Sequence, residues 1–139
     1  MKRSGAAPDL GPDTEADPSL RSEIGRPAQG QRIASEAFEK VSGTASIDGG
    51  KEITLVDVAL ARKQGEKCGW WQPEKNRFAT RSCSKPFWFE AKGTERWTWQ
   101  PGGSPLPAGR YRALSKAYSE GAGEECCELG RNLVEFRLK

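Results

Sequence analysis

Few residues in this chain could do chemistry, and their types narrow the possibilities at once. The chain has 139 residues, four cysteines and no histidine. Without an imidazole, no Ser-His-Asp or Cys-His device can be built from it. Ser82-Cys83-Ser84-Lys85 matches the Ser-x-x-Lys spacing of penicillin-binding enzymes, but no helical setting and no partner motif accompanies it. Glycoside hydrolysis needs two placed carboxylates. Glu124, Glu125 and Glu128 are crowded into a polar stretch and read as a solvated loop instead. Asp48 or the same glutamates could offer oxygens to calcium, the lesser reading of these positions. Zinc lacks both His and a Cys-x-x-Cys. The expectation is a non-enzyme with no catalytic residues, no cofactor and no metal.

The cysteines and tryptophans carry more. Four cysteines allow three pairings. Cys68 and Cys83 flank a hairpin running from Trp70 to Thr80, so their strands can bring them into bridging range. Cys126 and Cys127 are adjacent. A bond between neighbours is geometrically disfavoured, so one or both are expected free or paired with another molecule, with a vicinal bridge as the lesser alternative. A lasting Cys68–Cys83 bond implies an oxidising compartment. Trp70, Trp71, Trp97 and Trp99 are the candidate ligand-binding residues. Adjacent residues on a regular strand face opposite ways, so one of Trp70 and Trp71 could lie at the surface. There it could stack on a sugar or dock a partner. The commoner reading for such rings, and the leading one here, is burial in a sandwich core.

These residues need elements to hold them. Met1 to about Ile33 is rich in Pro, Gly, Ala and charge and has no sustained apolar period. Residues 1–34 therefore read as a disordered tail or linker, with at most a helical turn over Ser19–Ile24. The domain is expected over residues 35–139. Val41, Gly43 and Ala45 share one face of a first strand, closed by Asp48-Gly49-Gly50. Val56, Val58 and Leu60 alternate with Asp57, Ala59 and Ala61, which predicts one core face and one exposed face. Turn signals, among them Gln64-Gly65-Glu66-Lys67 and Pro73-Glu74-Lys75-Asn76, then recur every 8–12 residues through Trp97-Thr98-Trp99 to a last strand, Asn132–Leu138.

One stretch fixes the architecture best. In Leu106-Pro107-Ala108-Gly109-Arg110-Tyr111, Pro107 suits a turn or a strand's first residue. Gly109 can take conformations closed to other residues. Tyr111 then opens a strand, as in the tyrosine corner of immunoglobulin-like sandwiches, where the hydroxyl bonds backbone a few residues upstream. The whole predicts an all-β, antiparallel immunoglobulin-like sandwich of about seven or eight strands.

The order of motifs carries a resemblance. Val41-x-Gly43-Thr44-Ala45-Ser46, Val56-x-Val58-x-Leu60, Cys68-x-Trp70-Trp71, Cys83, the Trp97/Trp99 strand, Leu106–Tyr111 and Asn132-x-Val134-x-Phe136 together look like bacterial Ig-like domains of exported actinobacterial proteins. The resemblance covers roughly residues 36–139. It departs in the loop after Tyr118, where Ser119–Glu124 lacks the family's frequent Asp-x-x-Gly-Asn, so no role for that Asp carries over. The resemblance implies a non-catalytic accessory or adhesion-type module, monomeric and attached to a larger secreted or cell-surface protein. Its partner is a protein or a glycan. The alternative is a carbohydrate-binding module using surface tryptophans.

Charge adds exclusions. The net charge of +3 is spread along the chain without a basic run, which argues against nucleic acid. No apolar run approaches membrane-spanning length. Met1-Lys2-Arg3 begins like a signal peptide, but no apolar segment follows it.

Overall fold

The computed structural model describes residues 17–102 and 105–139. The first sixteen residues of the expected tail, and Gly103-Ser104 of the turn before the tyrosine strand, lie outside them. Among the described residues the regular structure is strand, apart from one 3-10 turn, Ser35–Ala37. β1 (Arg21–Arg26), β3 (Val41–Ser46), β9 (Arg96–Trp99) and β8 (Lys92–Gly93) form one sheet in the order β1-β3-β9-β8. The second contains β2 (Arg32–Ile33), β11 (Leu133–Leu138), β10 (Gly109–Tyr118), β4 (Leu55–Gln64), β5 (Lys67–Gln72) and β6 (Arg77–Arg81). Its order is β2-β11-β10-β4-β5-β6, and β7 (Phe89–Glu90) adds to β4 beyond the end of β5. Every pairing is antiparallel except β11 with β2.

The two sheets enclose the main core. Val56, Val58 and Leu60 of β4 face inward and are fully buried. Opposite them stand Ile24 of β1, Val41 and Ala45 of β3, and Trp97 of β9. Val134, Phe136 and Leu138 fill the β11 side, as their alternation requires. The two expected hairpin turns are present: Gly65 has φ +64° between β4 and β5, and Asn76 has φ +49° between β5 and β6. Gly43 is the close approach between β1 and β9. A Cβ there would run into the Glu23 carbonyl and lie 2.6 Å from the Trp97 ring.

Two expectations need correction. The domain does not begin at residue 35, and Ser19–Ile24 is not helical. Arg21–Arg26 is a strand paired with β3, and Leu20, Ser22 and Ile24 are buried. Hydrophobic periodicity misses it because its two inward residues, Ser22 and Ile24, include one polar side chain. That side chain is satisfied by residues about a hundred positions away. The second correction concerns β4. Ala59 and Ala61 are not exposed; they lie under a second apolar cluster on the outer face of the large sheet. The small alanines admit that cover without thickening the sheet.

Candidate binding face

The outer face of the large sheet has two halves. In one, the segment between β6 and β7 folds back over the strands. Trp70, fully buried, packs there with Ala59, Ala61, Cys68 and Leu114. Phe87, Trp88, Leu133, Cys83 and Cys127 close the cluster from outside. The Trp70 indole N–H donates to the Ser82 carbonyl at 2.9 Å, and the Cys68–Cys83 disulfide, with Cα atoms 5.0 Å apart, pins the same segment. The Ser82–Lys85 spacing thus belongs to a turn: Lys85 N–H donates to Ser82 O at 3.1 Å, and the Ser82 hydroxyl bonds that of Ser84.

Lys116 occupies the rim of this half. Its ammonium lies 4.5 Å from the Trp88 ring centre and 5.5 Å from that of Tyr118, and it pairs with Glu124 at 3.2 Å. Two aromatic faces and a carboxylate account for a nearly buried cation. Asp57, opposite Lys116 in the register, has its carboxyl pushed up by burial, against the hydrogen bond from Tyr118 and the charge of Lys116.

The other half is cationic and open. Arg137 of β11 stands beside Arg32 of β2 and Arg110 of β10. One step past the Tyr111–Arg62 pair, the register sets Arg110 next to Lys63 of β4. Lys63 pairs with Cys68, and Cys68 with Arg81 of β6. Arg32, Lys63, Arg110, Arg112 and Arg137 line a shallow depression of about 340 Å³. Glu135 is the acidic residue within it, already paired with Arg112 at 3.0 Å.

The sequence's candidate residues are placed as follows. Cys68 and Cys83 are joined. Cys126 and Cys127 are joined to each other and not free, which corrects the leading expectation for that pair. Trp70 and Trp71 do face opposite ways, but neither is exposed, because each side of β5 is covered. Trp71 lies in the main core at 5.0 Å from Phe78 and 6.4 Å from Trp99. Trp97 is buried and donates to Thr44 O at 3.1 Å. Trp99 is half-buried against Phe89. The structure gathers Trp71, Trp97 and Trp99 at the core between the sheets, in line with the core reading of these rings. The Tyr111 hydroxyl donates to the Pro107 carbonyl at 2.6 Å. Its ring stacks on Phe136 at 5.5 Å, and burial pushes its pKa up to about 12. Gly109 is required because the Arg62 guanidinium packs over it while donating to Ala108 O at 2.8 Å.

Sequence reasoning missed Glu125. It is 7% exposed and not part of a solvated loop. Its carboxylate accepts from Ser22 N–H and hydroxyl, Ala117 N–H, Arg131 and Asn132. Five donors, one of them the cationic Arg131, make burial of that charge tolerable. The network ties the β10–β11 loop to β1. A carboxylate among Glu124, Glu125 and Glu128 carries no sequence signal for which of them turns inward.

No family model and no curated protein sequence matches the chain.

Proposed function

We propose that the chain is an immunoglobulin-like, non-enzymatic interaction module of a secreted or cell-surface protein, and that it meets its partner through the outer face of the large sheet. The strand order supports the finer fold. β1-β3-β9-β8 corresponds to strands A, B, E and D, and β11-β10-β4-β5-β6 to G, F, C, C′ and C″ of a variable-type domain. The Tyr111–Pro107 bond sits where that fold places its tyrosine corner. The chain departs from antibody domains in having no disulfide between β3 and β10. Its bridge instead joins β5 to the segment after β6.

The observation that carries the functional reading is the Cys68–Cys83 bond, which pins the segment after β6 beside the open, cationic half of the outer face. Such a bond persists where thiols are oxidised. The tryptophan-based carbohydrate alternative has less support, since Trp70, Trp71 and Trp97 are buried and Trp99 is half-buried. The test is fractionation of the native host followed by peptide mass spectrometry without reduction. The reading expects the protein in the exported or surface fraction with a linked Cys68–Cys83 peptide. A protein found in the cytosol with both thiols free overturns it.

A further inference from the structure

The cationic half of the outer face sets like charges side by side, with no ion-pair partner for its central row among the described residues. Arg32, Arg137 and Arg110 are direct cross-strand neighbours, an arrangement that destabilises a sheet. Lys63 and Arg81 continue the row across β4 and β6. Among the described residues none of these five makes an ion pair, whereas Arg112 in the next row has Glu135. At about 4.8 Å per strand, the row crosses five strand intervals and is roughly 24 Å long, perpendicular to the strands. The charges come from five different strands, so no run of basic residues betrays them in the sequence.

We propose that this row binds an acidic polysaccharide laid across the strands, its carboxylate or sulfate groups meeting the guanidinium groups in turn. The inference rests on the exported-module reading above and names that module's ligand. Guanidinium forks match planar and tetrahedral oxyanions through paired N–H donors. Gln29 and Gln31 line the same depression; their amide oxygens accept from Glu135 and Ala28 N–H, and their NH2 groups offer donors to hydroxyl groups. A neutral glycan would need an exposed aromatic platform, and a single-stranded nucleic acid would need stacking rings. The aromatic residues here, Tyr111 and Phe136, are buried, which leaves charge and hydroxyl recognition. On the exported-module reading, the chain meets acidic glycans rather than nucleic acids as the abundant polyanions.

The test measures binding of the full oxidised chain to polygalacturonate (carboxylate arm) and dextran sulfate (sulfate arm). Neutral dextran, polyglutamate and single-stranded DNA are the comparators. Binding to at least one acidic polysaccharide is expected, stronger than to polyglutamate or DNA and falling with salt. The better arm identifies the anion. R110E/R137E should weaken it by about tenfold or more, the scale of one lost charged contact. R96E, the same kind of charge reversal on the opposite sheet, should stay within about twofold of the wild type. Far-ultraviolet circular dichroism and thermal midpoints check the folds. If the double reversal unfolds, R110S/R137S carries the same comparison. Absence of binding to both acidic polysaccharides overturns the proposal. So does an equal loss in R96E, equal binding to DNA, or binding to polyglutamate as tight or tighter, the last indicating an acidic peptide. Such a result with an exported, Cys68–Cys83-linked protein leaves the module reading in place; a reduced cytosolic protein removes that reading itself.

Discussion

The two sides of the large sheet bury their apolar residues by different means. The inner side is closed by a second sheet: Val56, Val58, Leu60, Trp71, Tyr111 and Phe136 meet side chains from β1, β3 and β9. Over the outer side the described residues form no second sheet. Trp70 is as completely buried as any inner residue, yet its cover is a loop, one indole hydrogen bond and a disulfide. Adjacent tryptophans therefore depend on different things, Trp71 on the packing of two sheets and Trp70 on a covalent clip. Alternation along a strand determines which face a residue takes. It does not determine whether that face is covered, or by what.

The comparison can be broken by removing each support separately. Trp71→Ala should cost about 3–5 kcal/mol, the range for deleting a core aromatic, and the loss should be the same before and after reduction. Trp70→Ala should cost a similar amount in the oxidised protein and clearly less once Cys68–Cys83 is reduced, because the cover it packs against is then loose. Urea unfolding with and without reductant measures both. Equal Trp70 losses under the two conditions would mean that the loop holds without its clip.

The clip itself comes next in size. Opening a loop with a sequence separation of 15 should cost about 3 kcal/mol in the chain-entropy account. Cys68→Ser, Cys83→Ser and the double variant should agree, and Trp70 fluorescence should respond more than that of the inner tryptophans. A near-neutral Cys68→Ser would assign the outer cluster's stability to its apolar contacts alone.

A smaller effect tests the inner side. Tyr111→Phe keeps the ring stacked on Phe136 and removes the bond to Pro107 O, at an expected cost of about 1–2 kcal/mol in the thermal midpoint. Alkaline pH gives an independent reading of the same group. Its pKa of about 12 lies above the ordinary 10.0, so the native state holds its proton longer than the unfolded chain does. Stability should fall as pH rises from 10 towards 12, and the fall should be shallower in Tyr111→Phe.

The smallest expected effect is on the outer side, at Asp57. Burial raises its folded pKa above 3.8. The native state thus binds the proton more tightly, and stability drops as pH rises from 3.8 through the folded value. Asp57→Asn removes that drop and can still accept from Tyr118. It should raise neutral-pH stability slightly, by less than about 1 kcal/mol, with no gain below pH 3. A loss at neutral pH would show that the charge is worth more to Lys116 than its burial costs.

Much of the fold was legible because it depends on local signals. The Val56-Val58-Leu60 and Val134-Phe136-Leu138 alternations, the Gly65 and Asn76 turns, and the Pro107-to-Tyr111 corner are set by side-chain period and backbone conformation within about ten residues. The spacing of Cys68 and Cys83 across a hairpin belongs with them, since a hairpin's register follows from its turn. Tertiary structure alone decided the rest. Ser22 reads as a linker residue until Glu125 and Ser115 arrive to bond it, and that carboxylate is one of three similar glutamates until the loop folds. Ala59 and Ala61 look exposed until a loop beyond β6 covers them. The cationic row consists of residues from five strands that share a face only through long-range register. A chain read in one dimension records period and spacing. Burial of a polar group, cover over a second face and addition of charge across strands are properties of neighbours far away in sequence.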